Sequence, residues 1–204
     1  MVDINRADQV RTAFILEWLT LAWAIVEAAV GIWASIEANS LSLLAFGIDG
    51  LIEALSAVVL PWRLKVELRD GYAFSEDAER MASKIGGALL FALAAYVVIG
   101  VAWGLSIREG QEFSRIGLAI TAATIPVTYL LAKRKIAIAE KIGSRALRAD
   151  AMESITCGWL AFIVFAGQVA QLAIGAWWVD SVASLAILYF LVTEGREAWA
   201  GDEC

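Results

Sequence analysis

The chain has 204 residues, of which 60% are apolar, and it carries a formal net charge of −6 with no histidine. Soluble domains average about 45–50% apolar residues, so this composition indicates a membrane protein. Without histidine, HExxH metalloproteases and every Ser-His or Cys-His catalytic triad are excluded.

Six apolar blocks, each near the roughly 20 residues that a bilayer-crossing helix requires, occupy most of the sequence. We therefore predict one all-α integral membrane domain over residues 1–204, with six transmembrane helices. The predicted spans are 14–36, 41–60, 85–105, 116–131, 147–173 and 178–192. Pro61 is expected to end the second span, because proline disfavours helical backbone in the residue before it.

Lysine and arginine are distributed unevenly between the two sides of the predicted membrane. Of the 16 basic residues, only Arg108 and Arg115 fall on one side, between the third and fourth spans. The others flank the opposite ends of the spans: Arg6, Arg11, Arg63, Lys65, Arg69, Arg80, Lys84, Lys133, Arg134, Lys135, Lys141, Arg145, Arg148 and Arg196. By the positive-inside rule, both termini are cytoplasmic. Because these charges follow topology, no nucleic-acid partner is expected.

The amino-terminal segment contains acidic residues and lacks a small-residue cleavage site, so no removable signal peptide is expected. The two cysteines, Cys157 and Cys204, form no pattern typical of a disulfide framework. We expect a multi-pass protein of the cell (inner) membrane, with the lipid bilayer as its surroundings.

Acidic side chains inside membrane spans are costly and usually mark ion or proton pathways. In the second span Asp49 and Glu53 are four residues apart, which places them on one helix face about 6 Å from each other. In the fifth span Glu153 and Cys157 have the same spacing. Each span therefore presents a pair of groups that can bind a metal ion.

The two pairs are also expected to meet at one depth in the membrane. At a rise of 1.5 Å per residue, Asp49 lies ~12 Å from the outer start of its span. Counted from the inner start of the fifth span, Glu153 lies ~9 Å deep and Cys157 ~15 Å deep. The sequence therefore predicts a four-ligand metal site made by Asp49, Glu53, Glu153 and Cys157.

Other polar residues have more than one interpretation. Glu27, mid-membrane in the first span, and Asp150, one turn before Glu153, are additional candidate ligands. Cys157 taken alone is as consistent with a small buried apolar residue as with a ligand. Glu17, near the cytoplasmic end of its span, is expected to reach the lipid headgroups, and Asp180 is expected to cap the sixth helix.

The predicted ligands determine which ions the site can bind. Four such groups within a few Å cannot all ionise, so protons should occupy the empty site until a divalent cation displaces them. Zn²⁺ accepts cysteine and carboxylate ligands. Sulfur favours Cd²⁺, whereas carboxylates admit Mn²⁺, Fe²⁺ or Co²⁺. The ion is a transported substrate, and no cofactor is expected.

Two other classes of protein are alternatives to a transporter. A non-transporting membrane protein that binds metal, or that is a structural partner of another complex, would keep the four ligands but lack a path to both faces. An intramembrane enzyme would need a nucleophile with its base, and no such pair occurs in the sequence. We therefore expect that the protein is not an enzyme.

The same residues resemble the membrane domain of the cation diffusion facilitator (cation efflux) family. That family has an acid-x3-Asp pair in its second helix and Ala-Asp-Ala-x-His-x3-Asp in its fifth. Here the first motif reads Asp49-x3-Glu53, and the second runs from Ala149 to Cys157 with Glu153 at the histidine position. The resemblance covers nearly the whole chain.

The resemblance implies efflux of a divalent metal in exchange for protons by alternating access, with zinc ranked first and cadmium second. It also implies a homodimer. The sequence departs from the family pattern at Glu53, Glu153 and Cys157, which leaves the preferred metal open. We expect a short member without the family's C-terminal cytoplasmic domain.

Overall fold

The protein is a bundle of long helices joined by short connections. A computed structural model describes residues 2–70, 76–107 and 110–200; side chains are not described at 2–7, 56–70, 76–83, 86, 145–146, 149 and 198. The helices are α1 (Val2–Ala38), α2 (Leu41–Asp70), α3 (Glu76–Ile107), α4 (Arg115–Ile142), α5 (Arg145–Ile174) and α6 (Val179–Ala200). Within these ranges there is no β-strand, so the prediction of an all-α fold is confirmed.

Local capping chemistry explains several helix ends. Ser144 begins α5, where its hydroxyl accepts a hydrogen bond from the Leu147 backbone N–H at 3.2 Å. Gly143 and Gly175 end α4 and α5 with φ of 71° and 63°, a left-handed backbone that glycine adopts without steric cost. These caps produce the tight turns between α4 and α5 and between α5 and α6.

The helices associate mainly in three pairs: α1 with α2, α4 with α5, and α3 with α6. Further contacts join α1 to α4, α5 to α6, and α2 to α3, α5 and α6. A central apolar core includes the fully buried Phe46, Val97, Leu160 and Ile187. The pairing places α2 and α5, which carry the predicted ligands, next to each other.

The outer surface of the bundle is strongly apolar. Ile36, Ile99 and Trp103 are 75%, 69% and 67% exposed. Among the described residues, four helical segments are long and apolar enough to cross a bilayer: Asp8–Ala38, Gly87–Ile107, Arg115–Ile142 and Asp150–Ile174. The protein is therefore an integral membrane protein, while six crossings and cytoplasmic termini remain predictions.

The expected helix end at Pro61 is wrong. Helix α2 continues past this residue to Asp70, and α4 likewise runs through Pro126. One proline removes a single backbone hydrogen bond and usually kinks a long helix rather than ending it when the flanking turns are well supported.

Candidate metal centre

The four residues predicted as ligands line one small cavity inside the bundle. Its volume is about 30 Å³, which has room for an ion with one or two waters. Helix α2 contributes Asp49 and Glu53, and α5 contributes Glu153 and Cys157. The other lining residues are Ile52, Leu90 and Glu194. The i, i+4 spacing therefore turns both pairs toward a shared space, as the sequence reasoning required.

Burial increases steadily from one side of this cavity to the other. Glu153 is exposed and Glu194 of α6 is half-buried. Asp49 and Glu53 are 8% and 7% exposed, while Cys157 is 3% exposed. The cavity is thus open at the carboxylate of Glu153 and closed at the thiol.

The closed end of the cavity meets an acid from a third helix. The Cys157 thiol donates a hydrogen bond to Oε1 of Glu27 at 3.5 Å and lies 3.8 Å from Oε2. Glu27, on α1, is only 1% exposed. One ligand atom each from Glu27, Glu53 and Cys157 lies within 4.8 Å of the others. Glu27, an additional candidate in the sequence, is therefore in direct contact with the predicted ligands.

Small residues bring α1 against α2 at this level. A Cβ added at Gly47 would lie 2.7 Å from the backbone nitrogen of Ile32, and one added at Gly50 would lie 3.3 Å from the Cβ of Glu27. Small side chains at a membrane helix interface allow this close backbone approach. The glycines of α2 thus position Glu27 beside Glu53.

Asp150 belongs to a different cluster. It forms an ion pair with Lys135 of α4, and the Lys135 ammonium also lies 3.7 Å from Oε1 of Glu17. All three side chains are buried, so the expectation that Glu17 reaches the headgroups is wrong. Asp150 does not line the described cavity, because its carboxylate faces the Lys135 ammonium instead.

Asp180 caps a helix, but not its own. Its carboxylate accepts hydrogen bonds from the backbone N–H groups of Leu41 and Ser42 at 2.7 and 3.2 Å. It also accepts from the hydroxyls of Ser40 and Ser42 at 2.8 and 2.6 Å. The expected cap of α6 is therefore wrong. Asp180 accepts hydrogen bonds from the first backbone N–H groups of α2, because the chain reversal between α1 and α2 lies next to the start of α6.

Two residues at the cavity were not found from the sequence. Glu194 lies two residues beyond the predicted end of the sixth span at Val192, so it is not among the predicted ligands. The fully buried Thr124 of α4 lies beside Glu27, and its hydroxyl is within hydrogen-bonding reach of that carboxylate. A helical projection of α6 continued past Val192 places Glu194 on the same face as Ile187 and Leu191, which are both buried. Cys204 lies outside the described residues.

The charged residues that line the cavity are all acidic. Four of its lining residues are acids, Asp49, Glu53, Glu153 and Glu194, and none of the residues lining it is basic. Such a concentration of acidic oxygens beside a thiol attracts cations and holds protons when no cation is bound. Chemically, the arrangement can bind a divalent ion through oxygen and sulfur.

Comparison with known proteins agrees with this chemistry. Residues 18–199 match the cation efflux transmembrane domain. The chain is similar to transmembrane protein 163 of Xenopus laevis, with 24% identity over 186 residues. That alignment covers 91% of this chain and 65% of the relative, so the chain spans just under two-thirds of the relative's length. Cation efflux proteins are membrane transporters of metal cations and not enzymes. Because the match extends over nearly the whole chain, the protein belongs to the cation efflux family.

Proposed function

We propose that this protein exports divalent metal cations across a membrane, with Zn²⁺ as the first candidate ion and Cd²⁺ as the second. The observation that carries the proposal is that Asp49, Glu53, Glu153 and Cys157 line one cavity between α2 and α5. Membership of the cation efflux family supports the transport of metal cations in general. The choice of zinc and cadmium comes from the ligand chemistry and the family.

The ligand set favours a borderline to soft ion. Zn²⁺ binds thiolate and carboxylate ligands in tetrahedral geometry, and sulfur increases the preference for Cd²⁺. Carboxylates alone would also accept Mn²⁺, Fe²⁺ or Co²⁺. The thiol of Cys157 therefore distinguishes this site from an all-oxygen site.

The proposed mechanism is proton-coupled alternating access. Metal ligands must be deprotonated to bind, so binding a cation releases protons from the acids and thiol of the cavity. When the cation leaves on the other side of the membrane, protons return to the empty site. This competition couples export of the ion to movement of protons in the opposite direction.

We further propose the membrane arrangement of this transporter. Six spans, at 14–36, 41–60, 85–105, 116–131, 147–173 and 178–192, would place both termini in the cytoplasm, as the distribution of lysine and arginine indicates. The cell (inner) membrane is the expected location. A homodimer formed through the membrane helices is expected from the family.

Flux through proteoliposomes tests the proposal. Vesicles that contain the purified protein should accumulate Zn²⁺ and Cd²⁺ when protons leave the vesicle down their own gradient. Proton movement is recorded in parallel. Asp49→Ala should abolish accumulation, because it removes a ligand from the cavity. Glu140→Gln, at an exposed residue of α4, is the matched control and should retain wild-type flux. Normal flux through Asp49→Ala would remove Asp49 from the mechanism.

The same assay separates the alternative function. A non-transporting metal-binding protein, or a structural partner of another complex, would bind cations in proportion to the protein present and show no accumulation driven by a gradient. Stoichiometric binding without flux would therefore favour that alternative.

A further inference from the structure

The acids at the cavity can be divided into two groups by their exposure and their neighbours. The outer group, defined here as Asp49, Glu153 and Glu194, contains the exposed Glu153, the half-buried Glu194 and the buried Asp49, whose strongest charge interaction is with Glu194. The inner group, defined here as Glu27, Glu53 and Cys157, is buried throughout. Asp49 and Glu153 both lie close enough to Glu194 to interact electrostatically with it.

The separation between Cys157 and Glu27 in the inner group is compatible with a bound tetrahedral cation. For Zn–S and Zn–O bonds of about 2.3 and 2.1 Å, tetrahedral angles give S···O separations of about 3.6 Å. The observed separation between Cys157 Sγ and Glu27 Oε1 is 3.5 Å. Because all three ligand atoms already lie within 4.8 Å of one another, small side-chain rotations would complete the coordination.

A fourth donor is present at the same place. The Thr124 hydroxyl is fully buried and lies within hydrogen-bonding reach of the Glu27 carboxylate. A hydroxyl that donates to a carboxylate still has oxygen lone pairs, so Thr124 can offer one more oxygen ligand beside Glu27. The inner group with Thr124 would draw one ligand from each of four helices, namely α1, α2, α4 and α5.

We propose that the transported ion occupies two successive positions, an outer one at Asp49, Glu153 and Glu194, and an inner one at Glu27, Glu53, Cys157 and Thr124. The open side receives the ion, and the buried thiol and acids then hold it. This inference rests on the proposed function, since it divides the path of the same ion into two steps. It assigns Glu27 as a ligand and Glu194 as an acceptor of the incoming ion.

Cd²⁺ binding to the purified full chain tests the two positions separately. Cadmium bound to a thiolate absorbs in the ultraviolet, so in a Cys204→Ser background this absorption reports the inner position at Cys157. Glu27→Gln should lower the apparent affinity measured from that absorption by tenfold or more, because it removes an inner ligand. Glu194→Gln should leave the affinity within about threefold of wild type and slow the binding observed by stopped flow, since charges at the rim mainly change association rates.

The controls keep each outcome decisive. Glu37→Gln neutralises an exposed acid of the same helix as Glu27 and should leave both affinity and rate unchanged. If Glu27→Gln does not fold, Glu27→Asp keeps the charge but withdraws the carboxylate, and should still weaken binding. Wild-type affinity in the folded Glu27 variant, or complete loss of the absorption in Glu194→Gln, would overturn the proposal.

The binding experiment and the flux assay test the two proposals separately. Cadmium–thiolate absorption that depends on Glu27, in a protein without flux, would support the inner position and contradict transport. Flux combined with absorption that does not depend on Glu27 would support transport and contradict the inner position.

Discussion

Cys157 is the residue whose chemistry most distinguishes this site. Its thiol lies between two carboxylates, those of Glu27 and Glu53, at the buried end of the cavity. A small apolar residue would fill the same space but offer no ligand. Because sulfur prefers soft cations, the identity of this side chain should affect which metal is bound.

Cys157→Ser should therefore change selectivity more than overall binding. We expect a larger loss of affinity for Cd²⁺ than for Mn²⁺, by about tenfold, because only the thiolate discriminates between soft and hard ions. Glu53→Gln removes an oxygen ligand and should weaken both ions. Equilibrium binding of the two metals to each variant measures the ratio, and equal losses in Cys157→Ser would assign the thiol to packing.

Asp180 has a structural role that can be tested without metal. Asp180→Ala would leave the first N–H groups of α2 and the hydroxyls of Ser40 and Ser42 without their acceptor. Loss of buried hydrogen bonds to a charged group should lower the free energy of unfolding by about 3 kcal/mol. Thermal unfolding in detergent measures this loss. A transition temperature equal to wild type would contradict the role.

At this scale, sequence reasoning identified the two pairs and their common depth, but not the neighbours that the other helices supply. The spacing of Asp49 with Glu53, and of Glu153 with Cys157, is fixed by helical periodicity and could be read directly. Which acids lie near a given residue on another helix depends on helix rotation, and the sequence does not determine this. For that reason the contact of Asp150 with Lys135 was missed.

At the scale of elements, the close crossing of α1 over α2 determines where Glu27 lies. Gly47→Ala would place a methyl group 2.7 Å from the backbone of Ile32, which cannot rotate away. Overpacking of this kind should destabilise the protein by about 1–3 kcal/mol and weaken metal binding by separating Glu27 from Glu53. Thermal unfolding and Cd²⁺ titration measure the two effects.

Gly100→Ala provides the matched control for this prediction. The added methyl group would meet only the flexible side chain of Leu41, which can change rotamer. Its stability should change by less than about 1 kcal/mol. Equal effects of the Gly47 and Gly100 substitutions would show that close approach of α1 and α2 is not required.

The buried cluster of Glu17, Lys135 and Asp150 connects α1, α4 and α5. Lys135→Met would leave two buried acids without their cation and should cost about 3–5 kcal/mol. Adding Glu17→Gln and Asp150→Asn to the same variant should recover at least half of that loss, because no uncompensated charge then remains. Unfolding measurements on the single and triple variants decide this. A triple variant as unstable as the single one would contradict the electrostatic explanation.

The number and order of the helices could be predicted because each apolar block became one helix. Their ends were predicted less well, as α2 shows by continuing to Asp70. Hydropathy reports where a helix lies in lipid and carries no information about how far it extends into water. The predicted end of the sixth span at Val192 excluded Glu194 for the same reason.

At the scale of the whole molecule, four helices bring acids and the thiol to one place, and α4 adds the Thr124 hydroxyl. Helix α1 supplies Glu27, α2 supplies Asp49 and Glu53, α5 supplies Cys157, and α6 supplies Glu194. None of these groups could form the site within its own helix. We therefore expect ion binding to require the bundle as a whole, and separating any pair of these helices should impair it.

X-ray absorption at the zinc edge of the purified, Zn²⁺-loaded protein tests the central claim most directly. We expect one sulfur ligand at about 2.3 Å and oxygen ligands at about 2.0–2.2 Å. The sulfur should disappear in Cys157→Ser, in which Cys204 is retained. A first shell made only of oxygen in the wild-type protein, or a sulfur ligand that persists in Cys157→Ser, would contradict the account.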